Sequence, residues 1–544
     1  MGFSPDDRRA DTRNDTPDGP SDGASPRIRQ RRWILVLMLA LATLAMHAVL
    51  TGATPTVPEH GGAVRTAAAV TPSVPFSGAA GDEAATPNPA DRSILDFKLP
   101  AFLGAALEPL VAGDASGATV TVHAKLDRRS VLVGSDSRLY AEVVINGRAP
   151  TDAVRHPTDL LVVLDHSGSM RGDKIRQAKK ATADLIDRLA PDDTFALIAF
   201  SDTARLMTTT APATSENRAQ WLDVLRRIHA GGGTNMKHGL DVALRVLRAR
   251  SNSDRPCRVL LLSDGHPNTT EGLVEQARRA SGHGAALSAL GIGADFNENL
   301  MSELADYGTG NYYFLDRPET IAAVFAGELA AGRGTIARDL RITLKPSPGT
   351  SLVDAAGYPI ETTADGAVIR PGHLYAGQTR RLWLALDVDA AEPFAARPLG
   401  EISVSWDDGE ATQTHVVDPL RIAGVTDREH HLAGIDNEAW GRAVVSEEYG
   451  RLQREVADFV RNGQRQEAEA RIFAYEQTQA GLNTFFMNDE VTENLESLKA
   501  FKREIDDAFT GEGQVTKQKM LSKRQHQMAN ELRRLDSGSG GGGR

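Results

Sequence analysis

The sequence predicts an α/β domain with a doubly wound, mostly parallel sheet, inserted in an all-β sandwich and followed by a C-terminal helical region. In the middle of the chain, apolar runs of strand length alternate with amphipathic helical stretches, which indicates a parallel sheet covered on both faces. On either side of that part, apolar and polar residues alternate with a period of two, as in half-buried strands. Beyond residue 426 the apolar residues recur at helical spacing.

Length and composition limit the kind of protein. A chain of 544 residues is too long for a single hydrophobic core and predicts about two to four folded units. The formal net charge of -11 argues against a nucleic-acid partner, because phosphate backbones attract basic surfaces. The single cysteine, Cys257, excludes an intrachain disulfide, and its place at the start of an apolar run predicts a buried core residue.

The N-terminal region predicts export. Residues 1–32 are polar and are expected to be disordered and cytoplasmic. Residues 33–51 are predicted to be a transmembrane anchor or signal segment, because the stretch from Trp33 to Leu50 has no Asp, Glu, Lys or Arg and is about long enough to cross a bilayer. Basic residues that precede such a segment stay in the cytoplasm; here they are Arg27, Arg29, Arg31 and Arg32. We therefore expect a single-pass membrane protein whose folded part is periplasmic or extracellular.

Two interpretations of the apolar segment stay open. A retained anchor is favoured, because a basic region of about thirty residues is long for a cleaved signal. Cleavage would instead release a secreted form. In both cases residues 52–92, which are rich in Ala, Pro, Thr, Gly and Ser, are predicted to be a disordered linker.

Residues 93–156 and 334–426 are predicted to be the two parts of one β-sandwich. Alternating apolar residues mark the strands: Val120, Val122, Leu139, Ala141, Val143 and Ile145 in the first part, and Ile342, Leu344, Leu382, Leu384, Leu386, Val388, Ile402, Val404 and Trp406 in the second. The first part offers only about three strands, which are marginal without a covering layer. Joining the two parts buries both sets of apolar faces in one core.

The inserted α/β domain is predicted to span residues 157–333. Its apolar runs are LLVVL, FALIAF, VLLLS and ALSALGIG, and its helical stretches are Lys174–Leu189, Asn217–Ile228, His238–Ala249 and Glu271–Ser281. An insertion of this size is tolerated because the termini of a domain often lie close together.

Residues 427–536 are predicted to be helical, and residues 537–544 to be a flexible Gly-rich tail. The first long helix begins at Asp436, and the second is expected to end at Gly481. A later helix places one apolar face from Leu521, Met528, Leu532 and Leu535. The basic residues of that stretch, Lys517, Lys519, Lys523 and Arg524, are expected on a solvated face, with binding to a partner or an anionic surface as the alternative.

Oxygen-bearing side chains follow three of the predicted strands and helices. The first strand of the α/β domain runs directly into Asp165-His166-Ser167-Gly168-Ser169-Met170, and two later loops supply Thr234 and Asp264. In open parallel sheets, ligands bind at the carboxyl ends of the strands. Mg²⁺ prefers oxygen ligands and keeps several waters. This pattern predicts a divalent metal site.

The three motifs DHSGSM, GGGTN and LLSDG, in that order and spacing, resemble the von Willebrand factor A (VWA) family. The resemblance implies a metal-ion-dependent adhesion site with five ligands, some acting through water: Asp165, Ser167, Ser169, Thr234 and Asp264. It also implies that a carboxylate of a protein partner fills the remaining position on Mg²⁺, with Mn²⁺ or Ca²⁺ as alternatives. The flanks are similar in arrangement to bacterial and plant relatives of inter-alpha-trypsin-inhibitor heavy chains and of proteins labelled as calcium-activated chloride channels.

The predicted function is metal-dependent protein binding, in adhesion or scaffolding, and not catalysis. No zinc-protease, nucleophile-elbow or phosphate-loop motif occurs in the sequence, and Ser167 and Ser169 stand where a metal-dependent hydrolase needs further carboxylates. One alternative is a VWA subunit of an intracellular ATPase-linked complex; a hydrolase is the weaker alternative. Cell fractionation discriminates the exported binding module from the intracellular subunit. A membrane or exported fraction favours the first, and a soluble cytosolic protein favours the ATPase-linked complex.

Overall fold

The computed structural model describes residues 119–135, 138–148, 155–250 and 255–533. The predictions for the N-terminal region, the apolar segment 33–51, the linker and the Gly-rich tail lie outside these residues. Within the described ranges, no helix has both the length and the apolar character needed to cross a membrane.

The α/β domain is a layered sheet with helices on both faces. Its strands are β4 (Asp159–Asp165), β5 (Thr194–Phe200), β6 (Ala204–Leu206), β7 (Ala211–Pro212), β8 (Cys257–Ser263), β9 (Ala285–Ile292) and β10 (Thr309–Leu315). The helices are α1 (Asp173–Arg188), α2 (Ser215–Arg226), α3 (Met236–Arg248), α4 (Leu273–Gly282), α5 (Glu298–Tyr307) and α6 (Ile321–Arg333). Two apolar cores, one on each face of the sheet, account for the full burial of its central strands.

The strand order explains where a ligand can bind. It is β10-β9-β8-β4-β5-β6, with β7 paired to β5, and β4 pairs in parallel with both β5 and β8. The chain therefore leaves β4 toward one side of the sheet and later returns on the other side. The switch in strand order lies at β4, so the crevice for a ligand opens at its carboxyl end.

Strands from both flanks of the α/β domain form one β-sandwich, as the sequence predicts. Before the domain lie β1 (Val120–Leu126), β2 (Ser130–Leu132) and β3 (Arg138–Gly147). After it lie β11 (Thr335–Pro346), β12 (Thr350–Asp354), β13 (Ile360–Thr363), β14 (Gly366–Tyr375), β15 (Thr379–Val388), β16 (Phe394–Pro398), β17 (Gly400–Asp407), β18 (Thr412–Val416) and β19 (Arg421–Val425). The sheets have the orders β1-β3-β15-β12, β13-β14-β11-β17-β18 and β16-β19-β2, so two of them mix strands from both flanks. One apolar core joins Val143, Ile342, Leu384 and Val404.

The helical region follows the sandwich. Its helices are α7 (Arg428–Ala433), α8 (Asn437–Ala443), α9 (Tyr449–Arg461), α10 (Arg465–Phe486), α11 (Asp489–Ala508) and α12 (Gln514–Leu532), with a π-helical turn, Val444–Glu448, between α8 and α9. Asp436 caps α8, as expected, by accepting the amide of Ala439. The predicted end at Gly481 is wrong, because α10 continues to Phe486. Phe486 packs against Trp440 with ring centroids 4.7 Å apart, and this contact outweighs the cost of about 1 kcal/mol for a helical glycine.

The predicted face of α12 is wrong at two residues, although Leu521 is buried as expected. Met528 is 39% exposed, whereas Lys523 is only 2% exposed. Lys523 Nζ lies 2.6 Å from Glu298 Oε2 and 2.8 Å from the carbonyl oxygen of Phe296 in the α/β domain. The reason is tertiary: α12 packs its polar face against α5 and β10. Leu535 lies outside the described residues.

The α/β domain is joined to the sandwich at the amino ends of its strands. Asp193, just before β5, accepts the amide of Thr158 at 2.9 Å and the guanidinium of Arg333 at 2.7 Å. Thr158 leads into β4 and Arg333 ends α6, so the chain enters and leaves this domain at one end of the sheet. The switch-point crevice lies at the opposite end.

Candidate metal centre

The first loop of the site leaves β4 at Asp165, the last residue of that strand. A short 3₁₀ turn, Gly168–Met170, then reverses the chain before α1. Met170 is fully buried in the core beneath the turn, which fixes the loop, while Ser169 beside it is exposed. Ser167 Oγ and Ser169 Oγ lie 3.1 Å apart. The loop thus places two hydroxyls next to each other at the mouth of the crevice.

The second loop lies against the first. The amide of Gly168 donates to the carbonyl of Gly232 at 2.9 Å, and the amide of Gly231 donates to the carbonyl of His166 at 2.8 Å. Gly232 has a φ of +82° and leaves no room for a side chain, since a Cβ there would lie 2.3 Å from Asp202 Oδ2. This close approach brings Thr234, the last residue before the N-cap of α3, to the site.

The third loop completes the arrangement. Ser263, at the end of β8, donates its hydroxyl to Asp165 Oδ2 at 2.6 Å, and Ser169 donates to Asp264 Oδ1 at 2.7 Å. A Cβ on Gly265 would lie 3.4 Å from Ser169 Oγ and 3.7 Å from Thr234 Oγ1. The structure therefore brings together all five residues that the sequence singled out.

The two carboxylates of the site are both buried. Burial raises the pKa of Asp165 to about 6, although hydrogen bonds from Ser263 and Ser167 lower it and the nearby Asp264 raises it further. Asp264 forms an ion pair with Lys174 of α1. Among the described residues, no basic side chain forms an ion pair with Asp165. A buried carboxylate without a counter-ion is costly, and a cation at the crevice would compensate it.

The donor set fits a hard divalent cation. It consists of carboxylate and hydroxyl oxygens, which suit Mg²⁺, Mn²⁺ or Ca²⁺. In the part of the chain that the structure describes, no cluster of three or more His, Cys, Asp or Glu side chains could hold a metal. A cation at this crevice would therefore be held by hydroxyls and water as much as by carboxylates, unlike a typical zinc site.

Several residues of the site are not among the five that the sequence singled out. Ser263 belongs to the LLSDG motif and could have been found from its chemistry, whereas Lys174 lies outside the three motifs. Asp202 and Asn268 carry no local signal: Asp202 accepts the amide of Gly233 at 2.8 Å, and Asn268 accepts that of Thr234 at 3.2 Å. Asn235 caps α3 by accepting the amide of His238, so it has a turn role.

The comparisons with known proteins identify the domain that carries this crevice. Residues 159–326 match the von Willebrand factor type A domain family. This part of the chain is a VWA domain. Such domains typically mediate metal-dependent protein interactions. The prediction of 157–333 differs from the match by a few residues at each end.

Solved structures and relatives match different shares of this chain. A von Willebrand factor type A protein from Catenulispora acidiphila has a TM-score of 0.60 at 18% identity, over 76% of this chain and 96% of that one, so the likeness of fold includes the flanks of the VWA domain. An uncharacterised protein of Synechocystis sp. is 27% identical over 52% of this chain and 70% of its own length. Inter-alpha-trypsin inhibitor heavy chain H4 of Homo sapiens is 31% identical over 29% of this chain, but only 18% of that protein is covered.

Proposed function

We propose that the VWA domain binds one divalent cation, Mg²⁺ with Mn²⁺ or Ca²⁺ as alternatives, and through it an acidic side chain of a protein partner. The observation that carries the proposal is the convergence of three loops on one crevice, where buried Asp165 lacks an ionic partner among the described residues. The ligands are Asp165, Ser167, Ser169, Thr234 and Asp264, some of them through water.

The proposed chemistry follows from the kind of ligand. Hydroxyl oxygens neutralise less of the charge of a cation than carboxylates do, so the bound cation keeps a strong attraction for an incoming carboxylate. Ser169 is exposed, so the crevice is open to a partner at that residue. The role proposed for the cation is adhesive: it joins two proteins and does not activate a water or a nucleophile.

Calorimetry with Mg²⁺ and Mn²⁺ tests the proposal. We expect one site per chain in the wild type, and no binding in Asp165→Ala, whose domain should stay folded. Thr234→Val, which keeps the shape and removes one hydroxyl, should weaken binding. Asp173→Asn removes an exposed carboxylate at the start of α1 and is the matched control. Unchanged binding of Mg²⁺ and Mn²⁺ in Asp165→Ala would contradict the proposed site.

We also propose that the folded part works outside the cytoplasm, tethered by residues 33–51. The support is the run of arginines before an uncharged segment. Protease added to spheroplasts should cut within residues 52–92 and reach the VWA domain. If the domain is digested only after the membrane is opened, the orientation is wrong and the ATPase-linked setting gains support.

A further inference from the structure

Lys174 contacts one of the two buried carboxylates of the candidate metal centre, that of Asp264. Its ammonium forms an ion pair with Asp264 Oδ2, while Ser169 donates to the other oxygen of the same carboxylate. Both oxygens of Asp264 are thus engaged within the chain. The Lys174 side chain is 29% exposed, whereas that of Asp264 is fully buried. The ammonium of Lys174 therefore lies between solvent and the buried Asp264 carboxylate.

The position of Lys174 on its helix needs an explanation. It lies in the first turn of α1, where the helix dipole disfavours a positive charge. The loop after β9 lies beside the lysine, since a Cβ on Gly293 would be in ordinary van der Waals contact with Lys174 Cε, at 3.8 Å. Helix stability alone does not favour a lysine at this point. The favourable interaction within the described structure is the ion pair with Asp264.

We propose that Lys174 sets the charge balance of the site, so that it weakens the binding of the cation and strengthens the selection of an anionic partner. This inference rests on the proposed function. A cation bound by two carboxylates alone gives a neutral site, whereas the same site with the Lys174 ammonium carries a charge of about +1. The cation has to bind beside the ammonium or displace it from Asp264, and both routes cost affinity. A positively charged site then attracts a carboxylate more strongly than a neutral one does.

Calorimetry on the full chain tests the charge balance with Mn²⁺ as the first probe and acetate as the second. Lys174→Met removes the charge and keeps most of the side chain, and we expect it to bind Mn²⁺ on the order of tenfold more tightly than the wild type. The Mn²⁺-loaded variant should bind acetate several-fold more weakly. Lys174→Arg keeps the charge and should resemble the wild type. Lys180→Met, an exposed lysine of the same helix, is the control.

The outcomes separate the two proposals. Tighter Mn²⁺ binding with weaker acetate binding in Lys174→Met supports the charge balance. Equal or weaker Mn²⁺ binding in that variant, with a wild type that does bind Mn²⁺, overturns this inference and leaves the metal site standing. No Mn²⁺ binding in any of the four proteins overturns the proposed function itself. Lys174→Gln serves as a second neutral variant if the methionine lowers the thermal unfolding temperature.

Discussion

Gly232 shows how one residue can control the site without being a ligand. Its left-handed backbone and the adjacent Asp202 carboxylate leave no space for a Cβ. We expect Gly232→Ala to lower the free energy of unfolding by about 1–2 kcal/mol and to weaken metal binding, because the loop that carries Thr234 has to shift. Gly134 has a similar φ, +75°, but a Cβ there would meet no atom within 4 Å, so Gly134→Ala should cost stability alone. Calorimetry and thermal unfolding of the two variants compare these effects; equal metal affinity in both would contradict the role of Gly232.

Glu447 makes the stability of the chain depend on pH. Burial raises its pKa to about 8, and the nearby Asp354 carboxylate adds to the effect. Between about pH 4.5 and 8 the folded chain keeps this proton and the unfolded chain loses it, so the free energy of unfolding falls as the pH rises. Asp354 has a lowered pKa, so its contribution is lost only at more acidic pH.

Glu447→Gln should remove that dependence. The amide mimics the protonated carboxyl. The free energy of unfolding of the variant, relative to that of the wild type, should therefore rise by more than about 1 kcal/mol from pH 5 to pH 8. Urea unfolding at the two pH values measures the difference. Glu438→Gln, an exposed carboxylate of α8, should leave the pH dependence unchanged. Parallel wild-type and Glu447→Gln curves would contradict the assignment.

The residues of the candidate site could be predicted because their signal is local. Asp165, Ser167 and Ser169 share one loop, and a strand of apolar residues places that loop at an edge of the sheet. Lys174 and Asp202 could not be assigned in this way. Their roles depend on which loops meet, namely the loop after β9 and the Gly232 turn, and a sequence pattern does not contain that information.

At the scale of elements, α12 holds the helical region to the VWA domain. Lys523→Met should lower the free energy of unfolding by about 3 kcal/mol. Among the described residues, it leaves the buried Glu298 carboxylate with one cationic partner, Arg461, at 3.4 Å. Lys519→Met removes an ion pair with Asp295 whose side chains are 44% and 73% exposed, and should cost at most about 1 kcal/mol. Chemical denaturation of both variants measures the contrast. Similar losses of unfolding free energy would contradict a stabilising role for the buried ion pair between Lys523 and Glu298.

The prediction for α12 fails at Met528 and Lys523 for a physical reason. Apolar spacing identifies a buried face only when burial is apolar. Here a lysine, a serine and an asparagine are buried because they meet Glu298 and Ser302 of a domain far away in the sequence. The strands of the sandwich were predictable, because its core between the sheets is formed mainly by apolar residues.

At the scale of the whole molecule, β3 joins the two flanks of the VWA domain. It lies between β1 and β15 and pairs with β15 from Arg138 to Asn146. A chain that begins at residue 151 should lose hydrogen-exchange protection in β15 and aggregate, because Leu382 and Leu384 are exposed. A chain that begins at residue 93 keeps β1 to β3 and should retain protection. Full protection of β15 in the shorter chain would show that the C-terminal flank folds without β3.

The placement of Thr158 and Arg333 around Asp193 has a mechanical consequence. Tension between a partner bound at the proposed cation and the rest of the chain would run lengthwise along the parallel strands. Neighbouring strands are then loaded in shear, where many hydrogen bonds share the load, whereas pulling the edge strands apart, from Leu206 to Leu315, breaks bonds one after another. Single-molecule pulling along these two directions should give the higher unfolding force for the lengthwise one. A partner bound at the proposed cation would therefore load the domain along its more resistant direction.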